Sequence, residues 1–468
     1  MQGTPPRNLQ EILDRTPNVT DYLYNNRTGA RAFPVVPAEF TNWRDEQHAW
    51  RETVALFDLS YHMSDLYVHG PDAFRLLNHL GINSFRGFEP GMAKQLVVCS
   101  PEGYVIGDAV LFYLEPETFQ LVGRPSALNW VQYHGETGTY DVTFERDEWS
   151  LVDPGRPRKV YRFQLQGPHA LALLEKLHGG PLPEVKFFHM TWIRVRGRRV
   201  RFLHHGMAGV AGGELFGPWE EREAVRTAIL EAGEEFGLRQ VGSRAYATNT
   251  LESGWISGVL PAIYTSPALR AYREWLPATS YEATGSLGGS FYSPNVEDYY
   301  LTPWDLGYGR LLKFDHEFVG REALEKRVRE PHRRKVTLVW NPEDVIQVFR
   351  TLFTQPKGQR AKYMELPLSR YCMWPYDKVL NRKGEVIGFS TSCGYSSNEG
   401  AMLSLAMVEE TYSAPGTEVI VVWGEPAGGS RKPSVERHVQ VEIRATVAPV
   451  PYSQAAREYR ALVVGRFR

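Results

Sequence analysis

The chain has 468 residues, of which 43% are hydrophobic and 23% are charged, and its formal net charge at pH 7 is −1. A chain of this length and composition is expected to fold into two or three domains. The near-zero charge excludes a global attraction to nucleic acid or anionic membranes, and no segment approaches the ~20 apolar residues of a membrane span.

The first 56 residues are predicted to form an irregular arm followed by a helix. Two prolines flank the short apolar run of residues 33–37, which favours an extended arm over a central strand. A helix is expected over residues 41–56, because four large side chains fall on one helical face: Trp43, Gln47, Trp50 and Val54.

A sequence repeat follows this segment. Residues 64–80 and 161–177 both have the pattern of a strand, a Gly-Pro break and a helix, and they share Gly-Pro-x-Ala-x-x-Leu-Leu-x-x-Leu. The proline falls in the first helical turn, where its missing N–H removes no hydrogen bond. Two copies of one unit predict duplicated α+β modules.

Further elements are predicted around the two copies. Alternating apolar residues indicate strands at residues 94–99, 104–114, 119–122, 192–196 and 199–203, the last two as a hairpin. Helices are expected over residues 125–130 and 220–236, and Gly237 ends the second one.

Residues 241–255 combine polar and aromatic side chains directly behind this last helix. These side chains are Arg244, Tyr246, Asn249, Glu252 and Trp255. Such groups suit the lining of a pocket. Taken alone, the stretch favours the alternative of a polar helix start capped by Ser243, with Tyr246 as ordinary packing.

Beyond residue 330 the sequence changes to short β-rich runs, at residues 336–340, 386–391, 418–423 and 438–450. They predict a mostly β domain over residues 331–450, after a core of residues 1–330 and before a C-terminal tail of residues 451–468. The basic cluster at 333–335 is interpreted as a solvated domain junction, because no aromatic residues interleave it.

Residues 206–217 are rich in glycine but lack the ending of a phosphate-binding loop, which favours a turn leading into a strand. Glu214 stands out there, because a carboxylate beside bare backbone can accept hydrogen bonds from a flat ligand. The histidines and the three cysteines show no metal-binding spacing, and no Gly-x-Ser-x-Gly hydrolase motif occurs. The cysteine pattern and the absence of a signal-peptide pattern predict a cytoplasmic protein without disulfides.

Several segments, in order and over nearly the whole chain, resemble the T-protein (aminomethyltransferase) of the glycine cleavage system. They are residues 57–63, 70–73, 103–113, 209–216, 230–238, 251–254, 315–324 and 384–423. The resemblance implies an α+β fold of two intertwined modules with a C-terminal, mostly β, barrel-like domain. It also implies tetrahydrofolate binding, with Glu214 on the pterin ring.

The chain departs from the T-protein at two points. Gly107-Asp108 stands in place of paired aspartates, and Tyr246-Ala247 stands in place of Arg-Asp. These departures, with residues 42–44, 123–124, 243–246 and 261–265, look more like bacterial tetrahydrofolate-dependent O-demethylases of lignin-derived methoxybenzoates. That resemblance implies an enzyme that moves a methyl group from an aryl ether oxygen to N5 of tetrahydrofolate, without a metal and without an obligatory protein partner.

Resemblance and chemistry together assign roles to single side chains. Tyr246 is expected to be the acid, because an unperturbed pKa of ~10 keeps it protonated and matches an emerging phenolate. His62 is expected to contact the phenolic oxygens or relay the proton, and Arg124 to bind the substrate carboxylate. The folate is expected to contact Gln95, Gln166, Glu214, Tyr246 and Trp255. For Asp108, a structural role in its hairpin stands beside a role in the site.

The substrate wall is predicted from the arm and from the residue after Phe57-Asp58. Where the vanillate enzymes of that subfamily offer tyrosines and a polar residue, this chain has Arg31, Phe33 and Leu59. A more apolar wall tolerates a second methoxy group, which cannot donate a hydrogen bond. We therefore expect syringate as the preferred substrate, giving 3-O-methylgallate. The alternatives are a vanillate/3-O-methylgallate O-demethylase, a T-protein-like aminomethyltransferase and a non-catalytic folate-binding module.

Overall fold

The computed structural model describes residues 4–30, 33–256 and 258–465. Its strands are β1 (Val54–Asp58), β2 (Ser64–His69), β3 (Ala93–Cys99), β4 (Val105–Glu115), β5 (Thr118–Gly123), β6 (Thr143–Asp147), β7 (Val160–Gln166), β8 (Met190–Val195), β9 (Arg198–Leu203), β10 (Gly212–Pro218), β11 (Leu238–Gln240), β12 (Leu287–Gly288), β13 (Arg334–Trp340), β14 (Leu368–Ser369), β15 (Trp374–Pro375), β16 (Asp377–Leu380), β17 (Val386–Ser396), β18 (Ala401–Val408), β19 (Glu418–Trp423) and β20 (Val441–Ala448).

The α-helices are α1 (Leu9–Asp14), α2 (Val19–Tyr24), α3 (Trp43–Glu52), α4 (Ala73–Leu80), α5 (Pro125–Thr137), α6 (Ala170–His178), α7 (Arg222–Gly233), α8 (Ser243–Tyr246), α9 (Asn249–Ser253), α10 (Arg270–Trp275), α11 (Tyr281–Thr284), α12 (Arg321–Arg327), α13 (Pro342–Thr354) and α14 (Gln454–Gly465).

Two sheets dominate the first part of the chain. One has six strands in the order β11-β1-β7-β10-β9-β8, and the other has five in the order β3-β4-β5-β2-β6. Strand β1 precedes the whole five-stranded sheet in sequence, yet it pairs with β7 and β11 in the six-stranded one. The two modules are therefore intertwined, as expected.

The repeated Gly-Pro unit occupies the same place in each sheet. Gly70 follows β2 with φ +129°, and Gly167 follows β7 with φ +138°. A Cβ would approach a backbone oxygen of a neighbouring segment to 2.4 Å at Gly70 and to 2.5 Å at Gly167. Only glycine tolerates both that conformation and that approach, so the sequence repeat corresponds to a repeated strand–turn–helix geometry.

The C-terminal region contains a closed six-stranded barrel. Its order is β17-β16-β19-β20-β13-β18, and pairing between β17 and β18 closes the ring. Short strand β14 pairs with β17 outside the ring. Closure leaves the barrel without free strand edges. The expected barrel-like domain is confirmed, and α13 (capped by Asn341) is an element that the β-rich pattern did not indicate.

The boundaries predicted at residues 330 and 450 stay predictions. The largest apolar core contains residues on both sides of position 330, among them Tyr299, Trp374 and Leu405. The predicted tail contains helix α14, whose Ala456 is buried.

The N-terminal region differs from its prediction. Helices α1 and α2 precede the extended arm, and Asn8 and Asn18 cap them by accepting hydrogen bonds from backbone N–H groups. The helix expected over 41–56 ends at Glu52, because Val54 starts buried strand β1 and its β-branched side chain favours an extended backbone. Among the residues described, none of the helices is long and apolar enough to cross a membrane.

Candidate active site

A large cavity of about 1260 Å³ lies between the two sheets, the barrel and helix α14. This exceeds the ~300–1,000 Å³ of a typical small-ligand pocket, so the cavity has room for two ligands. The predicted site residues that line it are Phe33, Leu59, His62, Gln95, Asp108, Arg124, Glu214, Tyr246 and Trp255. Arg31 lies outside the described residues.

Three rings form one end of the cavity, which we call the aromatic end: Phe33, His62 and Tyr246. The hydroxyl of Tyr246 lies 2.7 Å from Nε2 of His62. The ring of Phe33 stacks on His62 at 4.3 Å between centroids and packs against Tyr246 at 4.5 Å. The prediction that residues 241–255 form a pocket lining is therefore confirmed for Tyr246.

Burial controls the protonation of this pair. It lowers the pKa of His62 to about 3, and the charges of Arg124 and Arg158 act in the same direction. Burial also raises the pKa of Tyr246 above its usual value. Around neutral pH the histidine is therefore a neutral imidazole and the tyrosine keeps its proton. The pair can hold or pass a proton but carries no net charge.

Tyr246 is held in place through the extended arm. Ser243 and Arg244 donate backbone hydrogen bonds to the carbonyl groups of Pro37 and Ala38, at 2.9 and 3.2 Å. A Cβ at Gly242 would come within 2.3 Å of the Ala38 oxygen, so this contact requires glycine. The same arm carries Phe33, and the docking of the arm therefore brings Phe33 and Tyr246 together.

Asp108 is the acceptor of a polar network in the middle of the cavity. Its Oδ2 accepts hydrogen bonds from Gln95 (2.5 Å), Tyr308 (2.7 Å) and Trp255 (3.4 Å). Burial raises the pKa of Asp108, against the hydrogen bonds from Tyr308, Trp255 and Gln95, which lower it. Gln95 lies on the partner strand of the same hairpin, but Tyr308 and Trp255 come from distant parts of the chain, so the carboxyl does more than tie a hairpin together.

Glu214 lies on β10 beside an unpaired amide. Its Oε1 accepts a 2.6 Å hydrogen bond from Arg162, which leaves Oε2 for a ligand. Gln164 is the cross-strand partner of Glu214 on β7 and also lines the cavity. Both side-chain polar atoms of Gln164 are buried and lack hydrogen-bond partners among the described residues. Together they offer a donor and two acceptors to the edge of a flat heterocycle.

Gln166 does not line the cavity, contrary to its predicted role as a folate contact. Its Nε2 donates to the backbone oxygen of His205, and its Oε1 accepts from the N–H of Ala208. Both polar atoms of the Gln166 side chain therefore hydrogen-bond to the glycine-rich turn that leads into β10. The pattern missed Gln164, two residues earlier on the same face of the strand.

Two arginines converge next to the aromatic end. Arg124 immediately precedes α5, and Arg370, which sequence reasoning did not select, reaches the cavity from the barrel region. Burial and then the charge of Arg124 lower the pKa of Arg370 to about 10, so the two guanidinium groups lie close to each other. Like charges brought together in a cavity favour an anionic ligand between them.

Glu252 serves the structure and not the cavity. It is 1% exposed, and it accepts hydrogen bonds from Trp50 (3.1 Å) and Ser396 (2.7 Å), which join α3, α9 and β17. Asn249 likewise does not reach the cavity lining, whereas Arg244 and Trp255 do. No group of three or more His, Cys, Asp or Glu within the described ranges could hold a metal ion.

Comparisons with known proteins agree with this geometry. The profile of the family described as "GCVT N-terminal domain" matches residues 24–258, about half of the chain. A solved structure, the glycine cleavage system aminomethyltransferase T from Bartonella henselae, superposes with a TM-score of 0.61 at 17% identity, over 92% of this chain and 95% of that one. The fold is thus that of the aminomethyltransferase, and the chain belongs to the GCVT family.

Within the family, the chain resembles enzymes that transfer other one-carbon groups. It is 51% identical to a syringate O-demethylase of Sphingobium sp. (strain NBRC 103272 / SYK-6), over 96% of this chain and 97% of the relative. It is 30% identical to a sesamin methylene transferase of Sinomonas sp. (strain No.22), over 90% and 91%. An aminomethyltransferase of Streptomyces avermitilis is 27% identical, over 85% and 89%.

Proposed function

We propose that this protein is a tetrahydrofolate-dependent O-demethylase, a methyltransferase that takes one methyl group from syringate. The products are 3-O-methylgallate and 5-methyltetrahydrofolate. The observation that carries the proposal is the Tyr246–His62 pair beneath the ring of Phe33, in a cavity that also contains Glu214 and Gln164. The 51% identity to a syringate O-demethylase supports the same activity.

The tyrosine assists departure of the phenolic oxygen. A methyl ether is a poor substrate because an unassisted phenolate leaves poorly, and a positioned acid contributes a factor of ~10²–10⁴. In the tautomer with a proton on Nε2, His62 donates to the oxygen of Tyr246, and the O–H of Tyr246 is then free to donate to the ether oxygen. The low pKa of His62 keeps the imidazole neutral, so it does not compete as a cation for the substrate carboxylate.

The carboxylate of the aromatic acid lies against Arg124 and Arg370. Guanidinium groups match a carboxylate in geometry, and a buried anion offsets the mutual repulsion of the two cations. With the carboxylate held there, the substrate ring lies against the aromatic end, beside Phe33 and Tyr246. Leu59, 4% exposed, adds an apolar wall that accepts a methoxy group without leaving a polar group unpaired.

The residues present fit a reduced pterin at the centre of the cavity. Glu214 and Gln164 have free acceptors and donors at one edge, and Asp108 with Gln95 and Trp255 faces the same space. Tetrahydrofolate supplies N5 as the methyl acceptor; N5 loses one proton and the phenolic oxygen gains one. Holding donor and acceptor in line contributes up to ~7–11 kcal/mol to lowering the barrier. Asp108 is placed to hold the reduced ring in that orientation.

An aminomethyltransferase is the second candidate, because T-proteins share this fold. Tyr246-Ala247 stands where the T-protein has Arg-Asp, which weighs against it. A vanillate or 3-O-methylgallate O-demethylase differs only in the substrate wall. Ammonia release that depends on a lipoyl carrier protein would support the first alternative, and a higher kcat/KM for vanillate than for syringate would support the second.

The test is detection of 5-methyltetrahydrofolate by mass spectrometry after incubation with tetrahydrofolate and a panel of methoxybenzoates. We expect product with syringate and less with vanillate, and no product with the unmethylated acid. Binding of both ligands without any methyl transfer would replace the proposal with a folate-binding module.

We further propose a cytoplasmic location and no obligatory protein or nucleic-acid partner. The three cysteines Cys99, Cys372 and Cys393 are buried and unpaired, as is usual in a reducing compartment. Both proposed ligands are small molecules that diffuse to the site. Gel filtration of the active enzyme and turnover with purified components test the independence from partners.

A further inference from the structure

The end of the cavity away from the aromatic rings carries three cations, which we call the basic end: Arg310, Lys335 and Arg460. They come from a loop of the first part, from barrel strand β13 and from helix α14, and all line the cavity. Over the ranges that the structure describes, these side chains form no ion pair with a carboxylate. Three separate parts of the chain thus place uncompensated positive charge at one point.

Lys335 differs from its neighbours in the basic cluster at 333–335. Arg333 pairs with Asp305 at 2.8 Å, and Arg334 pairs with Glu410 at 2.6 Å. Arg334 and Lys335 both line the cavity, but only Lys335 does so without an ion-pair partner among the described residues. The prediction of a solvated junction therefore describes Arg333 and Arg334 but misses Lys335.

The charges of the basic end repel each other. Burial, then Arg460 and Arg310, lower the pKa of Lys335 to about 8, whereas the charge of Asp108 raises it. A cluster of like charges is costly to maintain without an anion, and it attracts one. Over its whole lining the cavity has ten lysines and arginines against two carboxylates, Asp108 and Glu214, although the net charge of the chain is only −1.

The position of the basic end in the cavity indicates which anionic group of the ligands it could bind. Asp108 lines the same cavity as both groups of cations and is within electrostatic reach of each, since its charge raises the pKa of Lys335 and the charge of Arg124 lowers the pKa of Asp108. The aromatic acid carries one carboxylate, which Arg124 and Arg370 take. A reduced folate whose pterin lies at Asp108 and Glu214 must direct its benzoyl-glutamate part out of the middle of the cavity. Each further γ-linked glutamate adds one carboxylate to that part.

We propose that Arg310, Lys335 and Arg460 form a subsite for the γ-linked oligoglutamate tail of the folate, so that the enzyme prefers folates with several glutamates. This inference rests on the proposed function. It assigns helix α14 a role in substrate recognition, because Arg460 lies on that helix. The subsite acts on binding of the methyl acceptor and touches none of the reacting atoms, and it strengthens at low ionic strength.

The test compares tetrahydrofolate with one and with three glutamates, by KM in turnover and by titration calorimetry without the aromatic acid. For the unmodified enzyme we expect a KM at least about tenfold lower for the triglutamate at low salt, from two added charge-assisted contacts. Arg460→Gln and Arg310→Gln should each remove a large part of that ratio. Lys335→Arg should retain it, and Lys335→Met should reduce it.

Arg382→Gln is the matched control, because it removes the same charge from an exposed barrel turn outside the cavity. Equal KM values for the two folates, or an undiminished ratio in Arg460→Gln and Arg310→Gln together, would overturn the subsite. If methyl transfer occurs with equal KM values for the two folates, the proposed function is retained and the oligoglutamate subsite is rejected. If calorimetry shows tighter binding of the triglutamate but no methyl group is transferred from any methoxybenzoate, the subsite is retained and the proposed function is rejected.

Discussion

The two ends of the cavity use different physical means. At the aromatic end, packed rings hold Tyr246 against His62 at 2.7 Å, and burial keeps both groups neutral. At the basic end, the side chains of Arg310 and Arg460 are exposed to solvent. Fixed, weakly solvated groups are suited to stabilising a transition state. Solvent-exposed cations are suited to attracting an anion. These properties fit the proposed roles of the two ends, turnover at the aromatic end and affinity at the basic end.

The largest effect expected is that of Tyr246→Phe, which removes the acid and leaves the ring packing against Phe33 and Phe57. The value of kcat should fall by about 10²–10⁴ while the dissociation constants of both ligands change little. Single-turnover kinetics and calorimetry measure the two quantities. The matched control is Tyr395→Phe, a tyrosine packed in the same core but outside the cavity. Full turnover in Tyr246→Phe would show that Tyr246 is not the acid and that the aromatic end does not act in catalysis through it.

The next effect concerns Arg124→Gln, which should weaken binding of the aromatic acid. Loss of one partner of a buried charge pair costs about 2–5 kcal/mol, so the KM for syringate should rise on the order of 10²-fold or more. The same ring without its carboxylate serves as the control substrate and should be affected far less. An equal loss for both substrates would show that Arg124 acts on the fold and not on the carboxylate.

A smaller effect is expected for Leu59→Gln, which makes the apolar wall polar. The ratio of kcat/KM for syringate over that for vanillate should fall by about tenfold, because the new amide is left unpaired beside a methoxy group. Competition between the two acids in one reaction measures the ratio directly. An unchanged ratio would show that Leu59 does not determine the preference for syringate over vanillate.

The smallest effect is an expected absence of change with pH. With a pKa of about 3, His62 stays neutral from pH 8 down to pH 6, so kcat with both substrates saturating should show no titration near 6.5. A free imidazole would change charge within that window. A kcat profile with a midpoint near 6.5 that is lost in His62→Asn would show that the aromatic end is hydrated, as the basic end is.

The local sequence pattern was sufficient to predict the repeated strand–turn–helix unit and most strands, because the Gly-Pro break and the alternation of apolar residues are short-range signals. The resemblance to the family correctly brought Tyr246, His62 and Glu214 to one cavity. Gln164 and Gln166 could not be separated, since residues two apart on a strand face the same way. Which amide is free depends on the glycine-rich turn, and that turn belongs to a distant part of the chain.

The charge pattern of the sequence was likewise insufficient to predict that Lys335 lines the cavity. Three consecutive basic residues look alike in sequence, and only the positions of Asp305 and Glu410 decide which of them are neutralised. The pairing of β1 with β7 was also outside the reach of local pattern, because more than 100 residues separate the two strands.

The interleaving of the sheets has a consequence for biosynthesis. As the chain leaves the ribosome, β1 emerges before every strand of the five-stranded sheet, yet its own partners are β7 and β11. The five-stranded sheet can therefore assemble early, while β1 has no partner until β7 (Val160–Gln166) has been synthesised and keeps one unpaired edge until β11 (Leu238–Gln240) follows. A nascent chain stalled before that point exposes a hydrophobic edge, which makes this interval the one in which chaperones matter most.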